Sequence, residues 1–213
     1  MEERVMIHAC PKRMWYVEEF LLPSLKGLNV EVWNDEKCIG NLQSCIASFK
    51  EVGKHPGATW HLQDDVIVCR DFAERIPQYD GVACGMYFDA FGPFPQYVGK
   101  VPATFMWNSW PCIRIPNETA GEFAEWFETD AKYRPELKHL VDTGKKDDTL
   151  WREFFMERHG NDYVTNIVPS LADHIDWLIG GSVLSPWRGY IARSKYWEDN
   201  ELVEALKEKL ARR

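Results

Sequence analysis

Along the first part of the chain, apolar positions switch between the two-residue period of strands and the longer period of helices. Val5 to His8 is a short apolar run suited to a buried strand, and about Trp15 to Leu25 carries apolar residues at helical spacing, with Pro11 in the loop between them. Asn29 to Trp33 (NVEVW) alternates as a second strand ending on Asn34 and Asp35, and a helical pattern follows Gly40, from about Leu42 to Val52. The turn-like Lys54-His55-Pro56-Gly57 leads into a third strand, Thr59 to Leu62, which runs into Gln63-Asp64-Asp65 and then a further apolar run, Val66 to Cys69. Asp71 to Ile76 predicts a short helix and Gly81 to Phe88 a fourth strand. Strands alternating with helices at this spacing predict an α/β fold, a mostly parallel sheet with helices on both faces. Ligands of such sheets bind at the carboxyl ends of the strands.

The pattern then loosens. Phe91 to Pro111 is rich in Pro, Gly and aromatic residues without helical period, which predicts a long loop or a pair of irregular strands, suited to a lid or an acceptor-side surface. Cys112 to Ile115 reads as a strand and Glu118 to Glu128 as a helix capped by Asn117. Asp148 to Arg158 reads as another helix, introduced by Lys145-Lys146-Asp147. Val164 to Val168 is a further strand, followed by Pro169-Ser170-Leu171-Ala172-Asp173-His174, and Glu198 to Arg213 predicts a charged amphipathic helix.

A chain of 213 residues fits one α/β domain with a core of ordinary size, and 45% hydrophobic with 27% charged residues makes a compact body the expectation. The net charge of −8 disfavours a nucleic-acid coat or a membrane-surface binder, which need basic fields. The clearest basic cluster, Arg188, Arg193 and Lys195, reads equally as a solvated face or a phosphate contact. Six cysteines are scattered singly without a CxxC pair, and read as reduced core residues. The charged start MEERVMIHAC runs straight into a strand and is not expected to be a signal peptide, and no segment approaches the roughly 20 apolar residues that span a bilayer. A cytoplasmic location is the expectation. Of the ten tryptophans, Trp60, Trp107, Trp110, Trp177 and Trp187 fall beside polar or glycine-rich segments, where they line either a cleft or the rim of the core.

The strongest chemical feature is ATWHLQDDVIV, in which Asp64 and Asp65 stand between apolar runs at a strand end. Two adjacent carboxylates repel and resist burial, so something must compensate them. A divalent cation with phosphate is a natural candidate, because Mg²⁺ and Mn²⁺ take oxygen ligands from carboxylates, phosphates and water. Neighbouring residues on extended chain point in opposite directions, so one acid can hold a metal while the other reaches a ribose hydroxyl. The duller reading of such a pair is a surface loop.

The order strand, helix, strand ending in Asp35, helix, strand with Gln63-Asp64-Asp65, and later Pro169 to His174, resembles glycosyltransferases of the GT-A fold, of the family 2-like kind that includes small bacterial and phage members. The similarity covers about residues 4–185 in order of elements, and only the short motifs match residue by residue. It implies a single domain over 1–213, with about 1–90 as nucleotide-binding half, about 91–190 as acceptor-side half and 198–213 as C-terminal helix. The implied activity is metal-dependent transfer of a sugar from a nucleotide-sugar donor, first a UDP-sugar, to an acceptor hydroxyl on a modified DNA base, a glycan or a small molecule. A phage enzyme of this kind would work in the host cytoplasm. The resemblance makes Asp65 the ligand of Mn²⁺ or Mg²⁺, Asp64 the ribose contact, Asp35 the base contact and His174 the histidine that completes the metal site. Gln63 occupies the first position of the DxD pattern, a departure that spares the final, metal-binding acid.

Other residues admit two readings. Asp35 could simply form a turn after Trp33, and His174 could be a hydrogen-bonded loop residue. Asp147-Asp148 reads as a helix N-cap, but an inverting transferase needs a carboxylate to take the acceptor proton, and Asp148 is preferred to Asp147 for that role. Arg13, just beyond the first strand, is a candidate phosphate contact, and Gly180-Gly181-Ser182 with Trp187-Arg188 offers close backbone approach and a cation to a diphosphate. A nucleotidyltransferase or other metal-dependent phosphate-ester enzyme is an alternative, weakened by the lack of glycine in His8-Ala9-Cys10-Pro11, and a non-catalytic binding module is a further one.

Overall fold

The computed structural model describes residues 3–86, 99–102, 111–144, 147–160, 163–167, 169–180 and 197–212. Strand β1 (Arg4–Ala9) leads through a 3-10 turn at Pro11–Arg13 into a helical segment made of α1 (Met14–Tyr16), a π turn (Val17–Leu21) and α2 (Leu22–Ser24). Pro23 lies in its last turn, where it has no N–H to donate and its ring crowds the carbonyl a turn earlier, a known cause of departure from regular α-helix. Strand β2 (Asn29–Asn34), helix α3 (Asn41–Val52), β3 (Ala58–Gln63), β4 (Val66–Val68), α4 (Phe72–Arg75) and β5 (Ala83–Cys84) complete the first part. Beyond them come β6 (Gly99–Pro102), β7 (Cys112–Pro116), α5 (Asn117–Thr129), α6 (Lys138–Thr143) and α7 (Asp147–His159). The chain closes with β8 (Tyr163–Asn166), β9 (Ala172–His174), α8 (Asp176–Ile179) and α9 (Asn200–Ala211).

Among the described residues, seven strands form one sheet in the order β2-β1-β3-β7-β5-β8-β6. Five share one direction, while β7 and β6 run against their neighbours, so the sheet is mostly parallel as predicted. Period-two alternation sends the side chains of β1 to two cores. Met6 joins residues of α3, α5 and α7 on one face, and Val5, Ile7 and Ala9 join residues of the α1–α2 segment, α4 and α9 on the other. Both faces are therefore covered by helices. Among the described residues, no helix is long and apolar enough to cross a membrane.

The apolar run after the acidic pair forms β4, which pairs antiparallel with β9 in a separate two-stranded sheet. Two local expectations are corrected. Within Gly81 to Phe88, only Ala83–Cys84 forms a strand among the described residues. Asn117 does not cap α5: Pro116 holds the cap position, and Asn117 is buried, its Oδ1 accepting from Thr59 Oγ1 at 2.8 Å and its Nδ2 donating to Pro56 O at 3.2 Å. The amide thus ties α5 to the start of β3 instead of satisfying the helix end. Of the predicted loop Phe91 to Pro111, the described part is strand β6 and Pro111.

Candidate functional site

The carboxyl ends of β1, β2 and β3 lie side by side because these strands are parallel and in register, with His8 opposite both Trp33 and Gln63. Three segments leave this edge: Cys10 to Arg13, the turn at Asp35, and Asp64-Asp65. The Asp64 backbone N–H donates to His8 O at 3.1 Å, fixing the acidic pair as the turn between β3 and β4. That turn changes the geometry expected of extended chain. The two carboxylates converge on one guanidinium, with Arg13 Nη2 2.6 Å from Asp64 Oδ1 and Nη1 2.6 Å from Asp65 Oδ2. Asp64 also accepts from the Cys10 backbone N–H at 2.7 Å. Both acids are buried.

His174 arrives from the far end of the chain. Antiparallel pairing of β4 with β9 sets it opposite Val66, the Ile175 N–H donates to Asp65 O at 2.8 Å, and His174 Nε2 stands 3.2 Å from Asp65 Oδ1. Its Nδ1 lies 3.5 Å from Asp176 Oδ1, a buried carboxylate at the start of α8 that composition and spacing did not single out. A carboxylate behind an imidazole is the arrangement that orients metal-binding histidines.

The electrostatics follow from burial and crowding. Burial pushes Asp65 up, but His174 and then Arg13 outweigh it and hold the carboxyl below its usual range. Burial raises Asp64 to about 6 against the pull of Arg13, so Asp65, with two cationic neighbours, is the more acidic of the pair. His174 is lowered by burial but raised overall by Asp65, and Arg13 is raised by Asp65 and Asp64 in spite of burial.

Asp65 and His174 fit a divalent cation in one respect. Asp65 Oδ1 is buried without a hydrogen-bond partner, and its 3.2 Å separation from His174 Nε2 is close to the roughly 3 Å between adjacent ligands of an octahedral ion with bonds near 2.1 Å. Asp65 Oδ2, in contrast, is occupied by Arg13. A second set of metal-type side chains, Cys69, Asp71 and Asp199, has ligand atoms within 4.8 Å of one another. It suits a cation poorly: burial raises the Cys69 thiol to about 12, the Arg75 guanidinium lies 3.8 Å from both Cys69 Sγ and Asp71, and Asp199 accepts from the Arg70 N–H at 3.0 Å.

Asp35, half-buried just past β2, shapes its own turn: its N–H donates to Ala9 O at 2.9 Å and its Oδ1 accepts from the Ile39 N–H at 3.1 Å. The other predicted acids stand in the first turn of α7. Asp147 is buried against the start of α3, accepting from Asn41 Nδ2 at 3.0 Å, and burial followed by repulsion from Asp148 raises it to about 7. Asp148 is half-buried and accepts from the Thr149 N–H at 2.7 Å. Gly181, Ser182, Trp187 and Arg188, the cluster Arg188, Arg193 and Lys195, and the tryptophans Trp107 and Trp110 lie outside the described residues. Trp60 is fully buried, which makes it core, and Trp177 is 37% exposed.

His8 was not singled out for chemistry by the sequence pattern. Its Nε2 lies 2.7 Å from Ser44 Oγ in the first turns of α3, and its ring centroid lies 5.6 Å from that of His61. Burial pushes His8 down to about 4 although Asp35 pulls the other way. The available signal was alternation: His8 falls on the same side of β1 as the core residue Met6.

No protein-family model and no curated protein sequence matches the chain. Among solved structures it is similar to the apo form of the glycosyltransferase GlyE of Streptococcus pneumoniae TIGR4, at 12% identity and a TM-score of 0.47, over 78% of this chain and 45% of that one. The chain therefore spans less than half the length of that protein. It is also similar to A197 from STIV, at 12% identity and a TM-score of 0.38, over 82% of this chain and 86% of that one. A third likeness is to a putative glucose-1-phosphate thymidylyltransferase from Bacillus anthracis, at 9% identity and a TM-score of 0.40, over 93% and 98% of the two chains.

Proposed function

We propose that the chain is a metal-dependent glycosyltransferase that moves a sugar from a nucleotide-sugar donor to an acceptor hydroxyl. The observation that carries this reading is the convergence of Asp65 and His174, distant in sequence, beside Asp64 at the carboxyl edge of a mostly parallel sheet. In this reading Asp65 and His174 hold Mn²⁺ or Mg²⁺, with Asp176 orienting the imidazole. The bound cation would neutralise charge on the departing diphosphate. Asp64 and Asp35 contact the nucleoside of the donor, first a UDP-sugar. If the reaction inverts, Asp148, at the start of α7 and half-buried, takes the acceptor hydroxyl proton as that oxygen bonds to the sugar and the bond from the sugar to the diphosphate breaks. The acceptor is a modified DNA base, a glycan or a small molecule.

The test is a donor-hydrolysis and transfer assay with UDP-, GDP- and dTDP-sugars in the presence of Mn²⁺. Turnover of at least one donor is expected, with Asp65→Ala lowering it by about a hundredfold or more, the range for removing a group that stabilises developing charge. No turnover with any donor, or turnover indifferent to Asp65, would sink the reading.

A further inference from the structure

Arg13 bridges both acids of the pair, and its position poses a question for the reading above. A cation on Asp65 and a guanidinium on the same carboxylate are like charges in a buried setting, where repulsion is least screened. Yet without the guanidinium two buried carboxylates would face each other uncompensated. Both demands are met if Arg13 changes partners. Its Nη1 and Nη2 are each 2.6 Å from a carboxylate oxygen, its Nε is buried with no hydrogen-bond partner among the described residues, and its side chain is 12% exposed. The guanidinium therefore has an incomplete donor set and borders solvent. It stands on a 3-10 turn at the end of β1, the edge where a diphosphate would lie. Each acid keeps an anchor if it leaves: Asp64 retains the Cys10 N–H, and Asp65 retains His174.

We infer that Arg13 is a resident counter-ion that holds Asp64 and Asp65 until a divalent cation and a nucleoside diphosphate arrive together, and then transfers its guanidinium to the diphosphate oxygens. This rests on the reading that Asp65 and His174 hold the cation. Planar, bidentate recognition suits Arg to both partners, carboxylate before and phosphate after. The consequence is reciprocal coupling: cation alone meets Arg13, nucleotide alone finds Arg13 engaged, and each relieves the obstacle to the other.

The test is Mn²⁺ binding followed by electron paramagnetic resonance of free Mn²⁺, with and without UDP or GDP, in the wild type, R13Q and R13K. In the wild type the better nucleotide is expected to tighten Mn²⁺ binding by about tenfold or more. R13Q is expected to bind Mn²⁺ alone about tenfold more tightly than the wild type, with the coupling reduced to a few-fold. R13K keeps a charge but cannot fork two carboxylates, so intermediate coupling is expected, and it decides the matter together with the wild type if R13Q does not fold. Ternary complexes that form without coupling in the wild type, or with equal coupling in R13K, overturn the exchange while leaving the glycosyltransferase reading standing. Absence of nucleotide binding in every protein, with or without Mn²⁺, overturns both.

Discussion

Asp147 and the neighbouring histidines His8 and His61 bind protons differently in the folded and unfolded chain, and with opposite consequences for stability. Burial raises Asp147 to about 7, so the folded state keeps a proton that the unfolded state has released. Its contribution falls as pH rises from about 4 to about 7, and above that the cost is full, a few kcal/mol at most by the usual conversion of about 1.4 kcal/mol per pH unit. Asp147→Asn should therefore be more stable than the wild type at pH 8, with the difference shrinking toward pH 4, as thermal melts across that range would register. His8 and His61 are both lowered by burial, so the unfolded state binds protons first and stability drains away as pH falls below about 6.5, for His8 down to about 4. His61→Leu, which leaves Ser48 its bond to Cys45 O, should blunt that acid sensitivity in the same melts. At this scale the sequence revealed the acids but not their states. Asp64-Asp65 stood out because like charges beside apolar runs demand compensation, whereas the choice of Arg13 as compensator depends on how a turn aims side chains. The burial of Asp147 was not legible, because it comes from α3, far away in the chain.

The packing of helices depends on single close approaches. Gly53, at the end of α3, meets Gly121 of α5: a Cβ built on Gly53 would lie 2.6 Å from the Gly121 Cα, whereas one on Gly121 would lie 3.4 Å from the Gly53 Cα. The Gly53 backbone has an ordinary φ of −62°, so contact and not conformation demands the glycine. Gly53→Ala should lower stability by about 1–3 kcal/mol through overpacking. Gly121→Ala meets only normal contact inside a helix and should be neutral or stabilising by up to about 1 kcal/mol, since alanine is the better helix former. Urea unfolding of the two variants would expose this asymmetry, and equal losses would refute it. Most elements were legible in the sequence because periodicity is local: β1, β2, α3, β3, α5 and α9 fall within a residue or two of the predicted spans. Those that were not are short and held by distant partners. Strand β9 exists because β4 pairs with it, and α6 is one and a half turns wound between longer helices.

For the molecule as a whole, one sheet separates two apolar clusters and couples them. Leu206 of α9 is 4% exposed in the cluster that also contains Val5, Ile7 and Trp60. Leu206→Ala should cost about 2–5 kcal/mol. Because β1 feeds both clusters, far-ultraviolet circular dichroism and tryptophan fluorescence should report one shared unfolding transition in this variant, and two separate midpoints would contradict the coupling. The six cysteines carry no disulfide, and four of them are buried; Cys38, exposed on the loop after β2, departs from the expectation of core residues. By itself the sequence determined the alternation of strands and helices, the mostly parallel sheet and the position of the acidic pair at a strand end, because backbone periodicity and the cost of adjacent charges are properties of neighbours along the chain. Only the tertiary structure decided that β7 runs against β3, that His174 returns to Asp65, that one arginine bridges both acids and that Asp147 is buried. Each of those depends on contacts across the sheet or between its layers, where distance in space is unrelated to distance in sequence.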